Sequence, residues 1–445
     1  MATAARQFES ADAAAAVTTP ARGLGRLFAS IVRKGTLAVT DQALFSGANF
    51  LVNILLARWL APADYGAYSL AFAIFLLFAA IHSAILIEPM MVFGPGKYAS
   101  GFGRYVRILV GGHFAVMAGA SVALLGLTLL LGRFYSSAAA LAMRGLAFGA
   151  AAILLFWLVR RVFYVLLRPA LGVVSGALYF VLLLGGVALL KSFGALSTMT
   201  AFCAMGAAGL LASAIMLARF APDCRSGASQ PTFKEVSIEH WRYGRWAIAT
   251  AVIGWFPGQV YYALLPAYLG LEGAGALRAL MNFVMPVLQA ISALTMLLLP
   301  MLVRDRHSGG PKKMNRTMLV FLGLFCAGAV VYLAGLWLFR DSVFQIFYGG
   351  KYAQYAGWPL LLTGLLPLGT CASSVLGDGL RALEKPDSIF WCYAGSVIGA
   401  VAIGIPLSAV IGVSGALLGL LASSIITVAM MSWYYKKSLI EADKA

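Results

Sequence analysis

Residues 67–93 read AYSLAFAIFLLFAAIHSAILIEPMMVF, and this stretch decides the class of fold. Apart from Glu88 near its end it holds no acid, lysine or arginine. It exceeds the about 20 apolar residues that a helix needs to cross the hydrocarbon core of a bilayer. Lipid offers no partner to a free backbone N–H or C=O, so such a stretch satisfies its own hydrogen bonds as a helix. The pattern repeats outward in both directions. Apolar stretches lie near 37–60, 106–131, 139–159, 170–190, 197–218, 245–269, 276–302, 317–339, 356–377, 389–410 and 414–435, with 67–93 as the second of twelve. The expectation is an all-α integral membrane protein of about 12 transmembrane helices.

Charge supports that division. Only 11% of residues are charged against 61% hydrophobic, yet the net charge is +17. Of the Lys and Arg residues, 26 fall in the N-terminal tail, the even-numbered gaps and the C-terminus, the gap after the fourth span holding Arg160, Arg161 and Arg168. The odd-numbered gaps hold 7, namely Arg58, Arg133, Arg144, Lys191, Arg278, Arg340 and Lys351. Cytoplasmic loops keep Lys and Arg during insertion. The basic balance therefore reports topology, with both termini cytoplasmic, and nucleic acid drops out as a partner. Cys203, Cys326, Cys371 and Cys392 lie within spans and Cys224 in a cytoplasmic loop, with no metal-ligand spacing among them, so they read as small hydrophobes.

The two halves resemble each other. Leu55-Leu56-Ala57-Arg58-Trp59-Leu60-Ala61 matches Leu264-Leu265-Pro266-Ala267-Tyr268-Leu269-Gly270 at an offset of 209, as Gly66-Ala67 does Gly275-Ala276. Pro89-Met90-Met91-Val92 matches Pro300-Met301-Leu302-Val303 at 211, Arg168-Pro169 matches Lys385-Pro386 at 217, and Gly194-Ala195-Leu196 matches Gly415-Ala416-Leu417 at 221. Offsets that drift one way are what small insertions produce. The organisation expected is a cytoplasmic tail over 1–35 with a basic amphipathic helix, a six-helix lobe over 36–218, a cytoplasmic linker over 219–242, a second six-helix lobe over 243–435, and a cytoplasmic tail over 436–445. Parallel repeats of this kind are typical of secondary transporters, which bind substrate between lobes that rock against each other.

Polar side chains at membrane depth face a cavity or a neighbouring helix. Gln42, Ser46, Asn49 and Asn53 form one stripe in span 1; Arg278, Asn282, Gln289 and Ser292 form one in span 8. Span 7 offers Trp255, Gln259, Tyr262 and Pro266 at the same spacing, with Pro257 loosening the helix. These stripes, with Arg58 at the outer end of span 1, are the candidate substrate cavity; helix-to-helix bonding without a ligand is the alternative. Glu88 is the deepest acid and the candidate for binding a coupling cation, proton or sodium. Asp41 is a second carboxylate for that role, although its place at the inner end of span 1 reads as a solvated helix start. His82 and His113 read as hydrogen-bonded interior histidines. Gly94-Pro95-Gly96-Lys97 and Gly377-Asp378-Gly379 read as helix-ending turns, since neither has a P-loop's strand and spacing. No catalytic constellation or cofactor motif appears.

Leu56-Ala57-Arg58-Trp59-Leu60-Ala61-Pro62-Ala63-Asp64-Tyr65-Gly66 resembles the span 1 to span 2 junction of Wzx-type polysaccharide flippases. These are a branch of the multidrug/oligosaccharidyl-lipid/polysaccharide exporter superfamily. Ile346-Phe347-Tyr348-Gly349-Gly350-Lys351-Tyr352 is similar to their turn before span 10. Gly379-Leu380-Arg381-Ala382-Leu383-Glu384-Lys385-Pro386 is similar to their loop after span 10, and Gly412-Val413-Ser414-Gly415-Ala416 to their last external turn. The resemblance implies two six-helix bundles forming a V-shaped central cavity in a bacterial inner membrane. It implies as cargo an undecaprenyl-diphosphate-linked oligosaccharide, and as associates membrane lipids and the pathway's polymerase and chain-length regulator. The few mid-membrane cations visible in this sequence are a departure from that family. The competing readings are a cation-coupled drug or metabolite antiporter of the same superfamily, and a polysaccharide polymerase or ligase, which the short, acid-poor external gaps disfavour.

Overall fold

The computed structural model describes residues 20–134, 137–220 and 231–444. The start of the tail and residues 221–230 of the linker, Cys224 among them, lie outside the described residues, as do the side chains of Leu24, Leu27, Phe28 and Ile31, on which the amphipathic reading of the tail rests, and that of Ser292. Among the described residues every regular element is a helix. In chain order these are α1 (Pro20–Trp59), α2 (Pro62–His82), α3 (Glu88–Phe93), α4 (Phe102–Phe134), α5 (Ser137–Val165), α6 (Pro169–Ser192), α7 (Thr198–Phe220) and α8 (Phe233–Leu269). There follow α9 (Leu271–Asn282), α10 (Met285–Leu338), α11 (Arg340–Tyr348), α12 (Trp358–Ala382), α13 (Pro386–Gly399), α14 (Ile405–Ile411) and α15 (Val413–Lys444).

Among the described residues ten helices are long and apolar enough to cross a membrane, eleven when the bent pair α9 and the start of α10 is taken as one broken span. The twelfth expected stretch, 37–60, is helical but falls outside that set. Its Asp41, Gln42, Asn49 and Asn53 lower its hydropathy. Span 8 is not continuous, since Asn282 and Met285 flank a break with a bend of 45°. The large apolar side chains left exposed, such as Leu129, Val331 and Val410, suit a lipid-covered surface. The chain is a multi-pass membrane protein.

Local chemistry explains the breaks. Pro62, Pro169 and Pro386 open helices at a position where a missing N–H costs nothing. Within the second span, Pro89 would clash with the carbonyl of Ile85, four residues earlier. The chain answers with a π-turn over Ser83–Ile87, which runs straight into α3. A second π-turn, Ala400–Gly404, precedes Pro406 in the same way. Gly310, at φ 71°, divides α10 into two helices that carry spans 8 and 9. The Gly94–Lys97 segment is a turn, whereas Gly377, Asp378 and Gly379 lie inside α12, correcting their reading as a helix end. Gly379 there lies against Tyr435 and Met318.

The internal repeat has a backbone counterpart. The two non-glycine residues with left-handed φ among the described residues are Leu167 at 55° and Glu384 at 63°. Each stands directly before the matched Arg168-Pro169 or Lys385-Pro386, at the same 217-residue offset.

Packing is uneven along the membrane axis. At the end bearing Trp59 and Pro62, one core joins both halves: Val52, Tyr65, Tyr68 and Phe202 pack with Tyr261, Leu265, Leu277 and Tyr348. Gly66 there lies against the Leu271 backbone, and Gly275 against Pro62 and Gly66. At the opposite end the cores separate. Leu86, Met90 and Tyr105 belong to one cluster, while Leu302, Met318, Leu380 and Tyr435 belong to another. A cavity occupies the parting on the side of the first half.

Candidate functional site

That cavity, about 550 Å³, is lined by Gln42 and Phe45 of α1, Ser83 and Ile87 of the π-turn, Glu88, Met91 and Val92 of α3, Trp157, Arg160 and Arg161 of α5, and Tyr243 of α8. Three residues at or behind this wall overturn expectations. Arg160 and Arg161 were assigned to a cytoplasmic gap, but α5 continues to Val165 and carries both to the cavity wall. Asp41 was read as a solvated helix start, but it is fully buried.

The reason is a pairing that no local pattern reveals. Arg160 Nε donates to Asp41 Oδ1 and Oδ2 at 3.0 and 2.8 Å, and its NH2 lies 2.8 Å from Asp41 Oδ2 and 3.0 Å from Gln42 Oε1. The guanidinium lies 4.5 Å from the Phe45 ring centre, and the Tyr164 hydroxyl also donates to Asp41. A Cβ at Gly176 would stand 2.7 Å from Asp41 Oδ1, so the missing side chain there lets α6 close over the carboxylate. Arg161 stacks on Tyr164 at 5.6 Å and has no ion pair among the described residues. The wall thus presents one free guanidinium, one neutralised guanidinium and the exposed carboxylate of Glu88.

The stripes from the two halves meet above this floor. Gln289 Oε1 of α10 accepts from Ser46 Oγ at 3.0 Å and lies 3.5 Å from Gln42 Nε2, which donates to Ser46 Oγ at 2.9 Å. Asn49 and Asn53 turn their amides to carbonyls of their own helix, at Phe45 and Asn49. The Asn53 side-chain oxygen then accepts from Arg278 Nε at 3.2 Å.

Arg278 was expected at an outer edge; instead it is only 6% exposed. Its guanidinium lies over Phe72 at 4.3 Å and Tyr262 at 5.8 Å, with no carboxylate beside it among the described residues. Cation–π contacts and one amide oxygen are what stabilise it there. Asn282 donates to Tyr65 and Tyr348 at 3.1 and 3.4 Å. Gln259 keeps a buried Oε1 without a hydrogen-bond partner among the described residues. Trp255 donates to the Ala73 carbonyl at 2.9 Å, a helix-to-helix bond.

Arg58 alone of the cavity candidates stands away from this column. It is exposed, its guanidinium on the Ile346 carbonyl, while Lys351 Nζ donates to the carbonyls of Arg58 and Leu60 at 2.7 and 2.6 Å. Each cation thus caps a helix end belonging to the other half, a favourable placement for positive charge. Among the described residues no group of three or more His, Cys, Asp and Glu could hold a metal ion.

No family model matches the sequence, and no curated protein matches it. Solved structures do match. An inward-facing multidrug resistance MATE family transporter of the MOP superfamily superposes with a TM-score of 0.76 at 12% identity, covering 91% of this chain and 96% of that one. The outward-facing conformation of such a transporter gives 0.64 at 11% identity, covering 94% and 96%. The lipid II flippase MurJ, in an inward closed conformation, gives 0.69 at 13% identity, covering 93% and 88%. The fold is therefore the one these transporters and this flippase share.

Proposed function

We propose that the chain is a flippase that moves an undecaprenyl-diphosphate-linked oligosaccharide from the inner to the outer leaflet of a bacterial cytoplasmic membrane by alternating access, as the Wzx-type resemblance implies. The observation that carries the reading is Arg161, a guanidinium on the cavity wall with no ion-pair partner among the described residues, beside Arg160. Charge-assisted bonds from guanidinium to phosphate are among the strongest a protein makes. Trp157, Tyr243 and Gln42 add the rings and amide that sugars need. Arg161, whose guanidinium has no ion pair among the described residues, gives a phosphate a partner that the cationic cargo of the antiporter reading would not use.

In this reading the halves, 36–218 and 243–435, rock about the seam at Gly66 and Gly275, and the Trp59 end faces outward. The better superposition on the inward-facing transporter supports that polarity, as does the count of basic residues. Both termini then lie in the cytoplasm, and a polymerase and chain-length regulator of the same pathway would be partners. Arg278, Asn53, Asn282 and Gln259 would meet the head group once the seam opens, and Glu88 is the cavity-facing carboxylate for a coupling cation.

The test is export of polymer and accumulation of lipid-linked repeat units in cells carrying Arg161→Ala. One lost hydrogen bond to a charged group is worth about 1.5–3 kcal/mol, so export should fall roughly 10- to 150-fold, with Arg161→Lys in between. Normal export from the alanine variant, with resistance to cationic dyes conferred by the unaltered chain, would select the antiporter instead.

A further inference from the structure

Outside the cavity one buried titratable cluster remains. His82, the last residue of α2, and His113 of α4 face each other with Nε2 to Nδ1 at 2.9 Å and their rings nearly perpendicular at 89°. They are 1% and 0% exposed. In a neutral pair one ring donates and the other accepts, so each carries a single proton. The two outer nitrogens, His82 Nδ1 and His113 Nε2, have no hydrogen-bond partner among the described residues. The carbonyl of Ala151 on α5 faces His113 without closing a bond of good geometry. Leaving a buried polar atom unpaired costs about 1–3 kcal/mol. Packing alone would have been better served by leucine, so the pair calls for a use.

Among the described residues its surroundings hold no fixed counter-charge. On α2 and α4 the rings have only each other as charged or titratable neighbours, and α5 presents a carbonyl. The ring of Phe114 lies 5.2 Å from His113. From α8 comes His240, already engaged: its Nδ1 lies 2.7 Å from the Ile85 carbonyl and its Nε2 2.7 Å from the Tyr105 hydroxyl. That carbonyl is the one Pro89 displaces. The π-turn is therefore anchored by the imidazole pair before it and held at its middle by the second half of the chain. Two of its flanking groups, Ser83 and Glu88, line the cavity.

We propose that the His82–His113 pair is a proton-binding site whose loading is coupled to the movement of the two halves; this rests on the transporter reading above and places the coupling ion. One proton from cavity water passes by way of Glu88 or Ser83 to an unpartnered imidazole nitrogen. One O–H bond of a hydronium ion breaks and one imidazole N–H bond forms, so the pair goes from neutral to a single positive charge and a water molecule is left. An imidazolium without a counter-charge at membrane depth is unfavourable. It favours a conformer in which the π-turn shifts and brings water or Glu88 to the pair. Because His240 holds the Ile85 carbonyl, that shift pulls on α8. Release of the proton after the halves rock resets the pair.

The test needs no cargo. In protein freed of native cysteines and reconstituted in vesicles, spin labels at Ser100→Cys and His307→Cys, both exposed, report the separation of the halves. A site whose affinity differs by one pH unit between conformers shifts their ratio roughly tenfold. We expect a shift of that size between about pH 5 and 8, the range over which imidazole titrates. It should fall to less than about twofold in His82→Gln and His113→Gln, a change within the experiment's scatter when set against the linked tenfold shift. Wild-type pH dependence in both variants would overturn the proposal. Should a variant fail to fold, spectra of isotope-labelled histidine in the unaltered protein decide: both rings must change protonation over the range where the labels move, and rings neutral throughout overturn it. Flipping of lipid-linked glycan by the Gln variants at an unaltered proton dependence would sink the coupling role while leaving the flippase standing.

Discussion

Arg160→Ala should cost about 3–5 kcal/mol of folded stability, because it strands Asp41 as a buried charge with nothing to balance it. The carboxylate is fully buried, and besides Arg160 it receives one phenol hydroxyl, from Tyr164. On its other side α6 closes on it at Gly172 and Gly176, so no second protein cation can take the place of Arg160 from there. The measurement is thermal unfolding of the purified protein in detergent. The single variant should melt far below the parent or fail to accumulate. The double variant Asp41→Asn, Arg160→Gln should recover most of the loss, since two amides keep a hydrogen bond with no charge to bury. A single variant that melts with the parent would show that the pair is solvated and that its geometry is incidental. Arg161, one residue on, makes the contrast: it has no such partner, so Arg161→Ala should fold normally and lose export instead. Adjacent arginines on one helix would then separate a structural cation from a cargo-binding one.

The fold was legible because lipid leaves so few solutions. Uninterrupted apolar runs with charge between them read as helices. What stayed hidden depended on distant pairing. A hydropathy reading ends a span at its first arginine, so Arg160 and Arg161 were placed in a loop, although the partner that permits Arg160 inside is 119 positions away. Asp41 was misread for the same reason. Polar stripes in spans 1 and 8 marked Gln42, Ser46 and Gln289 as groups that need partners, whereas the contact of His82 with His113 left no trace in spacing. Arg278 shows the limit in another way. Its place among the basic residues of the odd-numbered gaps pointed to the membrane edge, but the break of span 8 after Asn282 and the rings of Phe72 and Tyr262 hold it inside.

Gly66→Val is the substitution expected to disturb the conformational balance most. Gly66 on α2 lies against the Leu271 carbonyl at the start of α9, where a Cβ would overlap backbone that has no side chain to move aside. The opposing Gly275 is equally constrained, with the Pro62 carbonyl 2.9 Å from where its Cβ would be. Overpacking of this kind costs about 1–3 kcal/mol. The penalty falls only on the conformer in which the halves touch here, so the population parted at this end should rise roughly 5- to 150-fold. Asn282, 2% exposed behind the seam, supplies the readout. A cysteine placed there should react slowly with an aqueous thiol reagent in the parent and much faster beside Gly66→Val, while melting in detergent reports whether the fold survives. Lys351→Ala gives a milder version, because it removes only the cap on the carbonyls of Arg58 and Leu60 and leaves the helix crossing intact. An unchanged labelling rate in both would mean that the seam is a permanent weld, and alternating access would then need a different opening.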